Sequence, residues 1–228
     1  MRRRMALGLL SAGCLLLVAA LGWAGARGAG TECVLGSYGT SLRGRTRAQV
    51  FNALRAAQSL DGAVLQPGET FSFNKRVGPW NAAAGYRKAP VSFDGEMVPS
   101  YGGGVCQTST TLYNAAMLAG LEIVERHRHV RPPAYVAPGR DAAVAMPGVD
   151  LRIRNPYPYP VRIQARNIGE SLIVTVHGRG PRRPTVLRTE VESVARPLRV
   201  REAGMWKRGT PGFTALTYRQ AGAREVVL

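Results

Sequence analysis

Cysteine and histidine are scarce in this chain of 228 residues, which has three of each. So few cysteines exclude a small scaffold held together by several disulfides, and a chain of this length can bury enough apolar surface to fold without them. The sequence contains no Cys-x-x-Cys and no His-Glu-x-x-His motif. It therefore gives little support to a metal site, and we expect no metal and no cofactor.

Lysine and acidic residues are also few. The chain has 31 lysine and arginine residues against 14 acidic residues, and its net charge is +17. Lysine occurs only at Lys75, Lys88 and Lys207, so arginine carries most of the positive charge. A basic surface of this kind attracts acidic partners, which include nucleic acid, anionic lipid and the polyanionic bacterial wall.

Long hydrophobic runs are absent except over residues 5–26, which follow three consecutive arginines. Basic residues before an apolar segment are typical of an export signal whose charged end stays in the cytoplasm. The segment is long enough to span a bilayer, but the small residues 24–26 also suit a cleavage site, so residues 1–26 are predicted to be a signal peptide or a signal anchor. Export disfavours nucleic acid as a partner and predicts an extracytoplasmic protein, anchored in the membrane or associated with the wall.

The rest of the chain shows no internal repeat and no low-complexity segment, and its composition predicts three parts. Residues 27–44 are glycine-rich and weakly patterned, and are predicted to form a lead-in linker. Residues 45–178 are predicted to form the main domain, and residues 179–228 a basic linker with a small β appendage. The expected fold class is α+β, with an antiparallel β-rich domain, two main helices and the short β appendage.

Local patterns predict the elements of the main domain. Thr46 and Gln49 form a capping box for a helix that ends before Asp61, and residues 106–119 have the spacing of a second helix. Asp94-Gly95, within residues 89–98, is a strong hairpin signal. Alternating apolar residues predict further strands, the last three as an antiparallel meander, at residues 70–73, 121–125, 151–154, 161–165 and 172–176.

Three glycines, Gly102 to Gly104, lead into Cys106 at the start of the second predicted helix. A helix N-terminus favours an anion, and a thiolate is an anion, so this position suits a nucleophilic cysteine. Gly103 and Gly104 lack Cβ atoms and can let a substrate approach, while the backbone from Gly104 to Gln107 can point N–H groups at a developing oxyanion. A buried structural thiol and half of a disulfide are the alternatives for Cys106.

A cysteine nucleophile needs an imidazole to shuttle the proton and an acid or amide to orient that imidazole. His127 and His129 lie in one segment predicted to be extended, so their side chains should point to the same face. A zinc site formed by Cys106 with these two histidines is an alternative, and solvated or core histidines are another. The candidate partners of the thiol are His127, His129 and His177, with Asp141 or Asp150 as the third group.

Six sequence motifs occur in order between residues 45 and 177. They are PGETFSFN at 67–74, VGP at 77–79, GGGVCQ at 102–107, TTLYNA at 110–115, ERHRH at 125–129 and PGRD at 138–141. Together they resemble the VanW family, which is named from vancomycin-resistance gene clusters. Residues 207–219 also resemble, weakly, the small glycine-marked β module that often follows this domain.

The resemblance implies an envelope protein that acts on peptidoglycan, because the family is understood to include L,D-transpeptidases with a catalytic cysteine. Cys106 corresponds to that cysteine, His127 and His129 to the two histidines of the family, and Asp141 to its aspartate. Such an enzyme takes the acyl group of diaminopimelate or its equivalent from one stem peptide and passes it to an amine on another. We favour His129 as the base, because it is closer in sequence to Asp141 and to the break at residues 132–133.

Further residues are expected to contact the substrate, with Arg140 as a clamp for a carboxylate. The expected partners are peptidoglycan stem peptides and other anionic wall polymers, and the membrane if the N-terminal segment is not cleaved. Two other functions fit the same residues: a non-catalytic module that binds peptidoglycan or a precursor, linked to glycopeptide resistance, and a peptidase that transfers the acyl group to water.

Cys33 and Cys106 are predicted not to be disulfide-bonded, because a nucleophile must remain a thiol. The predicted substrate-contacting residues are Gly103, Gly104, Gln107, Tyr113 and Arg140.

Overall fold

The computed structural model describes residues 31–93, 96–180, 185–195, 199–202, 205–208 and 212–227. The signal or anchor predicted over residues 1–26 and the predicted turn at Asp94-Gly95 lie outside these residues. Within them, no helix is both long enough and apolar enough to cross a membrane. The described residues from Glu32 onward belong to one compact unit.

Three helices and fourteen strands make up the described part of the chain, which confirms a β-rich fold of the α+β class with two main helices. The helices are α1 Arg47–Leu60, α2 Phe73–Val77 and α3 Val105–Leu118. The strands are β1 Cys33–Ser41, β2 Val64–Leu65, β3 Thr70–Ser72, β4 Lys88–Phe93, β5 Glu96–Tyr101, β6 Glu122–Glu125, β7 Arg152–Arg154, β8 Val161–Ile168, β9 Ser171–Gly178, β10 Thr185–Ala195, β11 Arg199–Glu202, β12 Met205–Arg208, β13 Gly212–Ala221 and β14 Arg224–Val227.

Helix α1 begins with the predicted capping box. Thr46 Oγ1 accepts a hydrogen bond from Gln49 N at 3.2 Å, and Gln49 Oε1 accepts one from Thr46 N at 3.1 Å. These bonds satisfy two N–H groups that a helix start leaves without partners. One face of α1 is buried, including Ala53, Ala57 and Leu60.

Helix α3 lies at the centre of the fold and is buried along most of its surface. It packs against an antiparallel sheet with the strand order β1-β9-β8-β2. A second sheet has the order β3-β7-β6, and its strand β6 also contacts α3. Fully buried side chains that fill the core around α3 include Leu112, Met117, Ile163 and Val174. A helix covered on most sides gives a rigid support for the residues at its ends.

The lead-in linker expected over residues 27–44 needs correction at Cys33–Ser41, which form strand β1 and pair antiparallel with β9. Gly36 explains why the segment has a weak pattern. A Cβ atom at Gly36 would lie 2.3 Å from the backbone nitrogen of Ala119, at the end of α3. Glycine is therefore required by the close approach of strand and helix, and does not mark an irregular linker.

The predicted meander is wrong for β7, although β8 and β9 are neighbours as expected. Strand β7 pairs instead with β3 and β6 in the second sheet. The segment between β7 and β8 is held by the buried amide of Asn155, whose Nδ2 donates to Leu65 O at 3.0 Å and to Tyr159 O at 2.8 Å. These bonds fix a turn that carries the chain from one sheet to the other, and alternation alone does not reveal it.

Strands β4 and β5 form the predicted hairpin, which extends beyond residues 89–98 at both ends. In the region of the predicted appendage, the described residues form a sheet with the order β10-β13-β14 and the pair β11-β12. Strand β13 is hydrogen-bonded to the main domain, since Thr217 Oγ1 donates to Gly139 O at 3.1 Å and Arg219 donates to Leu121 O at 2.9 Å.

Candidate active site

Cys106 is the second residue of α3, and its side chain is partly buried. Gly104 caps the helix with a left-handed φ of 113° and no side-chain bond. Val105 N–H donates to Gly102 O at 2.9 Å and Gln107 N–H donates to Gly104 O at 3.0 Å, whereas the Cys106 N–H has no acceptor among the described residues. This N–H lies at the positive end of the helix dipole and is available to an oxyanion formed next to the thiol.

The three glycines before Val105 are explained by packing. A Cβ atom on each would come closer to another part of the protein than real Cβ atoms do. The predicted role of glycine in admitting substrate is therefore not needed to explain these residues, although Gly103 and Gly104 do line the cleft described below. An added Cβ atom would lie 2.5 Å from the Trp80 ring at Gly102, 2.6 Å from Pro90 O at Gly103 and 2.2 Å from Gln49 O at Gly104.

Polar side chains on the buried surface of α3 hold the segment that contains Asp141. Ser109 Oγ donates to Ala142 O at 2.7 Å, and Thr110 Oγ1 accepts from Ala142 N at 2.9 Å. Asn114 Nδ2 donates to Arg140 O at 2.7 Å on the other side of Asp141. The hydroxyl-rich sequence after Cys106 thus ties the aspartate backbone to the same helix that carries the thiol.

Asp141 is 4% exposed and accepts hydrogen bonds on both carboxylate oxygens. Its Oδ2 accepts from the backbone N and from Nδ1 of His129, each at 2.7 Å, and its Oδ1 accepts from Arg126 at 2.9 Å. Burial alone would raise the pKa of Asp141, but the hydrogen bonds from His129 and the charge of Arg126 lower it below the usual value. Asp141 is therefore an ionised carboxylate that fixes the His129 ring.

The His129 side chain is 11% exposed and lies between Asp141 and Cys106. Burial alone would lower its pKa, but the interactions with Asp141 and with Cys106 raise the pKa of His129 from 6.5 to about 9. His129 is therefore an imidazolium at neutral pH. Because Nδ1 is bound to Asp141, Nε2 is the ring nitrogen left for proton exchange with a reacting group.

A cleft of about 480 Å³ lies between the β4–β5 hairpin and the segment of residues 128–135. Cys106, His129, Arg45 and Tyr135 all line it. The Cys106 Sγ also contacts Val144 O, at 3.4 Å. Burial raises the pKa of Tyr135 well above its usual value, so its hydroxyl stays neutral and can donate a hydrogen bond. The cleft thus combines a thiol, an imidazolium and a guanidinium.

Besides Tyr135, Arg45 is a cleft residue that sequence reasoning missed. Its Nε donates to Gln107 Oε1 at 3.1 Å, and its guanidinium lies over the Tyr135 ring, 4.6 Å from the centroid. In the described part of the chain no carboxylate forms an ion pair with Arg45, so its other N–H groups can bind an acidic ligand. Arg45 lies outside the six motifs, and no local pattern marks it.

Gln107 lines the cleft, as expected of a substrate contact, but its side-chain polar atoms are bound within the protein. It is 1% exposed, and its Nε2 donates to Thr40 Oγ1 at 3.1 Å and to Ser41 O at 2.8 Å. Its Oε1 accepts from Arg45. The Gln107 side chain therefore positions Arg45, and its backbone continues the helix from Cys106.

Two other expected substrate contacts, Arg140 and Tyr113, do not line the cleft. Arg140 Nε donates to Asn114 Oδ1 at 3.0 Å, and its guanidinium lies over the Tyr38 ring. Tyr113 is 3% exposed, and burial raises its pKa. Tyr113 is buried and Arg140 is half-buried, so neither is placed to contact a substrate in this cleft.

His127 is directed away from Cys106. Its Nε2 lies 2.9 Å from Glu125 Oε1, its side chain is 42% exposed, and it does not line the cleft. Asp150, the alternative acid, accepts from Ser72 Oγ at 2.5 Å and from Asn74 N at 2.9 Å. The structure therefore brings Cys106, His129 and Asp141 together and leaves His127 and Asp150 apart from them.

Possible metal ligands do not form a cluster in the described residues. Within the described ranges, no three His, Cys, Asp or Glu side chains lie close enough to hold a metal ion. Cys33 and Cys106 are both free thiols, and Cys33 Sγ donates to Gly180 O at 2.9 Å.

Replacing Asp141 with asparagine should lower the pKa of His129. The imidazolium, with its pairing to Asp141, stabilises the fold fully below pH 6.5, and this contribution is lost as the pH rises through about 9. An amide carries no charge, so the titration midpoint of His129 should move towards 6.5. NMR titration of the ring measures the shift. Glu170→Gln removes an exposed carboxylate as a control, and an unchanged midpoint in Asp141→Asn would contradict the account.

Comparison with known proteins finds a matching family model and two similar curated proteins. The family model described as VanW like protein matches residues 48–177, which are more than half of the chain. Among curated proteins, the uncharacterized protein YoaR of Bacillus subtilis is 43% identical over 143 residues, covering 63% of this chain and 47% of YoaR. The vancomycin B-type resistance protein VanW of Enterococcus faecalis is 31% identical over 131 residues, covering 55% of this chain and 48% of that protein.

The matched region of this chain thus spans about half the length of each of these relatives. No solved structure matches significantly. The match to the family model includes Cys106, His127, His129 and Asp141, and the sequence motifs that contain them. The chain belongs to the VanW family.

Proposed function

We propose that this chain is an exported cell-wall enzyme that transfers peptidoglycan acyl groups through Cys106, in the manner of an L,D-transpeptidase. The observation that carries the proposal is that Cys106 and His129 line the same cleft, with Nδ1 of His129 hydrogen-bonded to Asp141. A nucleophile, a proton donor and a group that orients the donor are the parts that acyl transfer needs. Localisation outside the cytoplasm belongs to the proposal and is supported by the N-terminal sequence.

The first step forms a thioester. The Cys106 thiolate, paired with the His129 imidazolium, attacks the carbonyl carbon of the donor, and the electron pair of the C=O bond moves to oxygen. The unpaired Cys106 N–H, with the neutral Tyr135 hydroxyl in the same cleft, can stabilise this oxyanion. When the oxyanion collapses, the C–N bond breaks and the leaving amine takes its proton from His129 Nε2.

The second step returns the thiol to its initial state. The amine of an acceptor stem attacks the thioester carbonyl and gives a proton to neutral His129 Nε2, and the C–S bond breaks to restore the thiolate and imidazolium. Asp141 holds the ring in one orientation through both proton transfers. Water in place of the amine would make the same site a peptidase.

Arg45 is the residue we assign to the donor carboxylate. A stem peptide that loses its terminal residue carries a free carboxylate next to the scissile bond, and a guanidinium binds such a group with paired hydrogen bonds. The Arg45 side chain is already oriented by Gln107 and Tyr135, so little conformational freedom is lost on binding. The net charge of +17 would attract anionic wall polymers to the same surface over a longer range.

Arg45→Gln should lower kcat/KM for a donor with a free terminal carboxylate by about 10- to 100-fold, the value of hydrogen bonds to a charged group. Steady-state release of the terminal residue by the full-length chain measures this. Amidating the donor carboxylate should lower kcat/KM of the unaltered protein by a similar factor. It should lower kcat/KM of Arg45→Gln little further. Arg131→Gln, which removes an exposed charge from the same cleft, is the matched control and should have a smaller effect. Equal losses in the two variants would contradict the assignment.

The reaction itself is tested by mass spectrometry of muropeptides from cells that express the full-length chain. New cross-links between acyl-donor and acceptor stems should appear, and the terminal residue of the donor should be absent from them. Cells expressing Cys106→Ala should show neither change. Shortened stems without cross-links would replace the transferase with a peptidase, and an unchanged profile would refute the proposed chemistry and favour binding alone.

A further inference from the structure

Strand β4 has an outer edge that faces the cleft, and two prolines determine which of its backbone groups are free. Pro90 in β4 lies opposite Pro99 in β5. Neither residue has an N–H, so they form a non-hydrogen-bonded pair, and the carbonyl of each points away from the other strand. The hydrogen bond from Gln49 Nε2 to Pro90 O, at 3.0 Å, shows this direction for Pro90.

Ser92 shares this orientation because it follows Pro90 by two residues. It lies opposite Met97, and hydrogen-bonded and non-hydrogen-bonded pairs alternate along an antiparallel ladder. The N–H and C=O of Ser92 therefore point out of the hairpin on the same side as Pro90 O. Among the described strands, β5 is the one that pairs with β4, so Ser92 offers a donor and an acceptor to an incoming strand.

Ser92, Pro90 and Phe93 line the same cleft as Cys106 and Arg45. A free strand edge beside a reactive group is a common means of binding an extended peptide, because main-chain hydrogen bonds hold it in one register. We propose that β4 binds the acyl-donor peptide as an added strand, with Ser92 N–H donating to a peptide carbonyl and Ser92 O accepting from a peptide N–H.

The other contacts of β4 limit the length of this pairing. Pro90 has no N–H, and its carbonyl is occupied by Gln49, so the ladder cannot continue past Ser92 in that direction. The Pro90 end of the edge adjoins Gly103, three residues before Cys106. A donor held at Ser92 therefore leaves the strand near the thiol. That the bound peptide is the acyl donor rests on the proposed function. That β4 recognises the main chain of this peptide is a further proposal.

Ser92→Pro tests the pairing because it removes the N–H that points outward. Ser92 belongs to a non-hydrogen-bonded pair, as Pro90 and Pro99 do, so a proline there breaks no bond of the hairpin. Fluorescence anisotropy would measure binding of a labelled synthetic tetrapeptide stem to the full-length chain carrying Cys106→Ala, which prevents turnover. Adding Ser92→Pro should weaken binding about tenfold, the upper value for one hydrogen bond. Ser92→Ala keeps the N–H and should bind as the parent does. Equal binding by the proline variant and its parent would overturn the inference.

A second measurement does not depend on the fold of the proline variant. Synthetic stems methylated at one amide nitrogen at a time would be compared on the same Cys106→Ala chain, and methylation of the amide that donates to Ser92 O should weaken binding about tenfold. If no amide is sensitive, donor binding by β4 is refuted. Both readouts measure binding alone, so they can fail while cross-linking by Cys106 is observed, and they can succeed if that chemistry is absent.

Discussion

Cys106→Ala should abolish formation of stem cross-links, and His129→Ala should reduce it by about 10²- to 10⁴-fold. In the proposed mechanism, the first variant has no nucleophile, and the second lacks the group that protonates the leaving amine. Loss of His129 also removes the positive charge that would stabilise a thiolate at Cys106 in the proposed first step. Rates of terminal-residue release and muropeptide profiles from the full-length variants measure both effects.

His127→Ala is the matched control for His129→Ala, since both remove an imidazole from the same short segment. His127 contacts Glu125 and does not line the cleft, so this variant should retain a measurable rate. Full activity in His129→Ala would overturn the assignment of the proton donor. Equal loss in both histidine variants, with folding intact, would show that the two imidazoles are both required and would contradict the separation seen here.

Gly104→Ala should destabilise the protein by about 2–5 kcal/mol. An alanine at φ 113° costs about 1–2 kcal/mol through backbone strain, and overpacking adds about 1–3 kcal/mol. The added Cβ would lie 2.2 Å from Gln49 O, a backbone atom that cannot rotate away. Chemical denaturation would show the loss as a lower transition midpoint.

Gly62→Ala separates the two parts of this cost. Gly62 also has a positive φ, of 75°, but an added Cβ would meet nothing within 4 Å. Its substitution should therefore cost only the backbone strain, about 1–2 kcal/mol. Similar stability losses at the two positions would show that the approach of Gln49 to the start of α3 is not as close as described.

Elements specified by neighbouring residues could be predicted from the sequence. The Thr46–Gln49 capping box, the β4–β5 hairpin and helix α3 each depend on contacts within a few residues. His129 could be favoured over His127 by its sequence distance from Asp141, and the structure places it beside both Asp141 and Cys106. Its role in catalysis stays a prediction.

Features that depend on contacts between distant residues could not be predicted. Arg45 enters the cleft because Gln107, 62 residues later, accepts its Nε–H. Gly36 in β1 is selected by a close approach to the end of α3, and a sequence pattern cannot distinguish this from a flexible linker. The sequence suggests Arg140 as a clamp for a carboxylate, but Asn114, 26 residues earlier, accepts its Nε–H and holds it beside α3.

The most direct test of the central claim is the intact mass of the full-length protein after rapid mixing with a synthetic tetrapeptide stem and acid quenching. The account predicts a thioester adduct whose added mass equals the mass of the stem minus the mass of the released terminal amino acid. This adduct should map to Cys106 and disappear when an acceptor amine is added. Cys106→Ala should carry no adduct. Cross-linking or release of the terminal residue by Cys106→Ala at the rate of the unaltered protein would contradict the account.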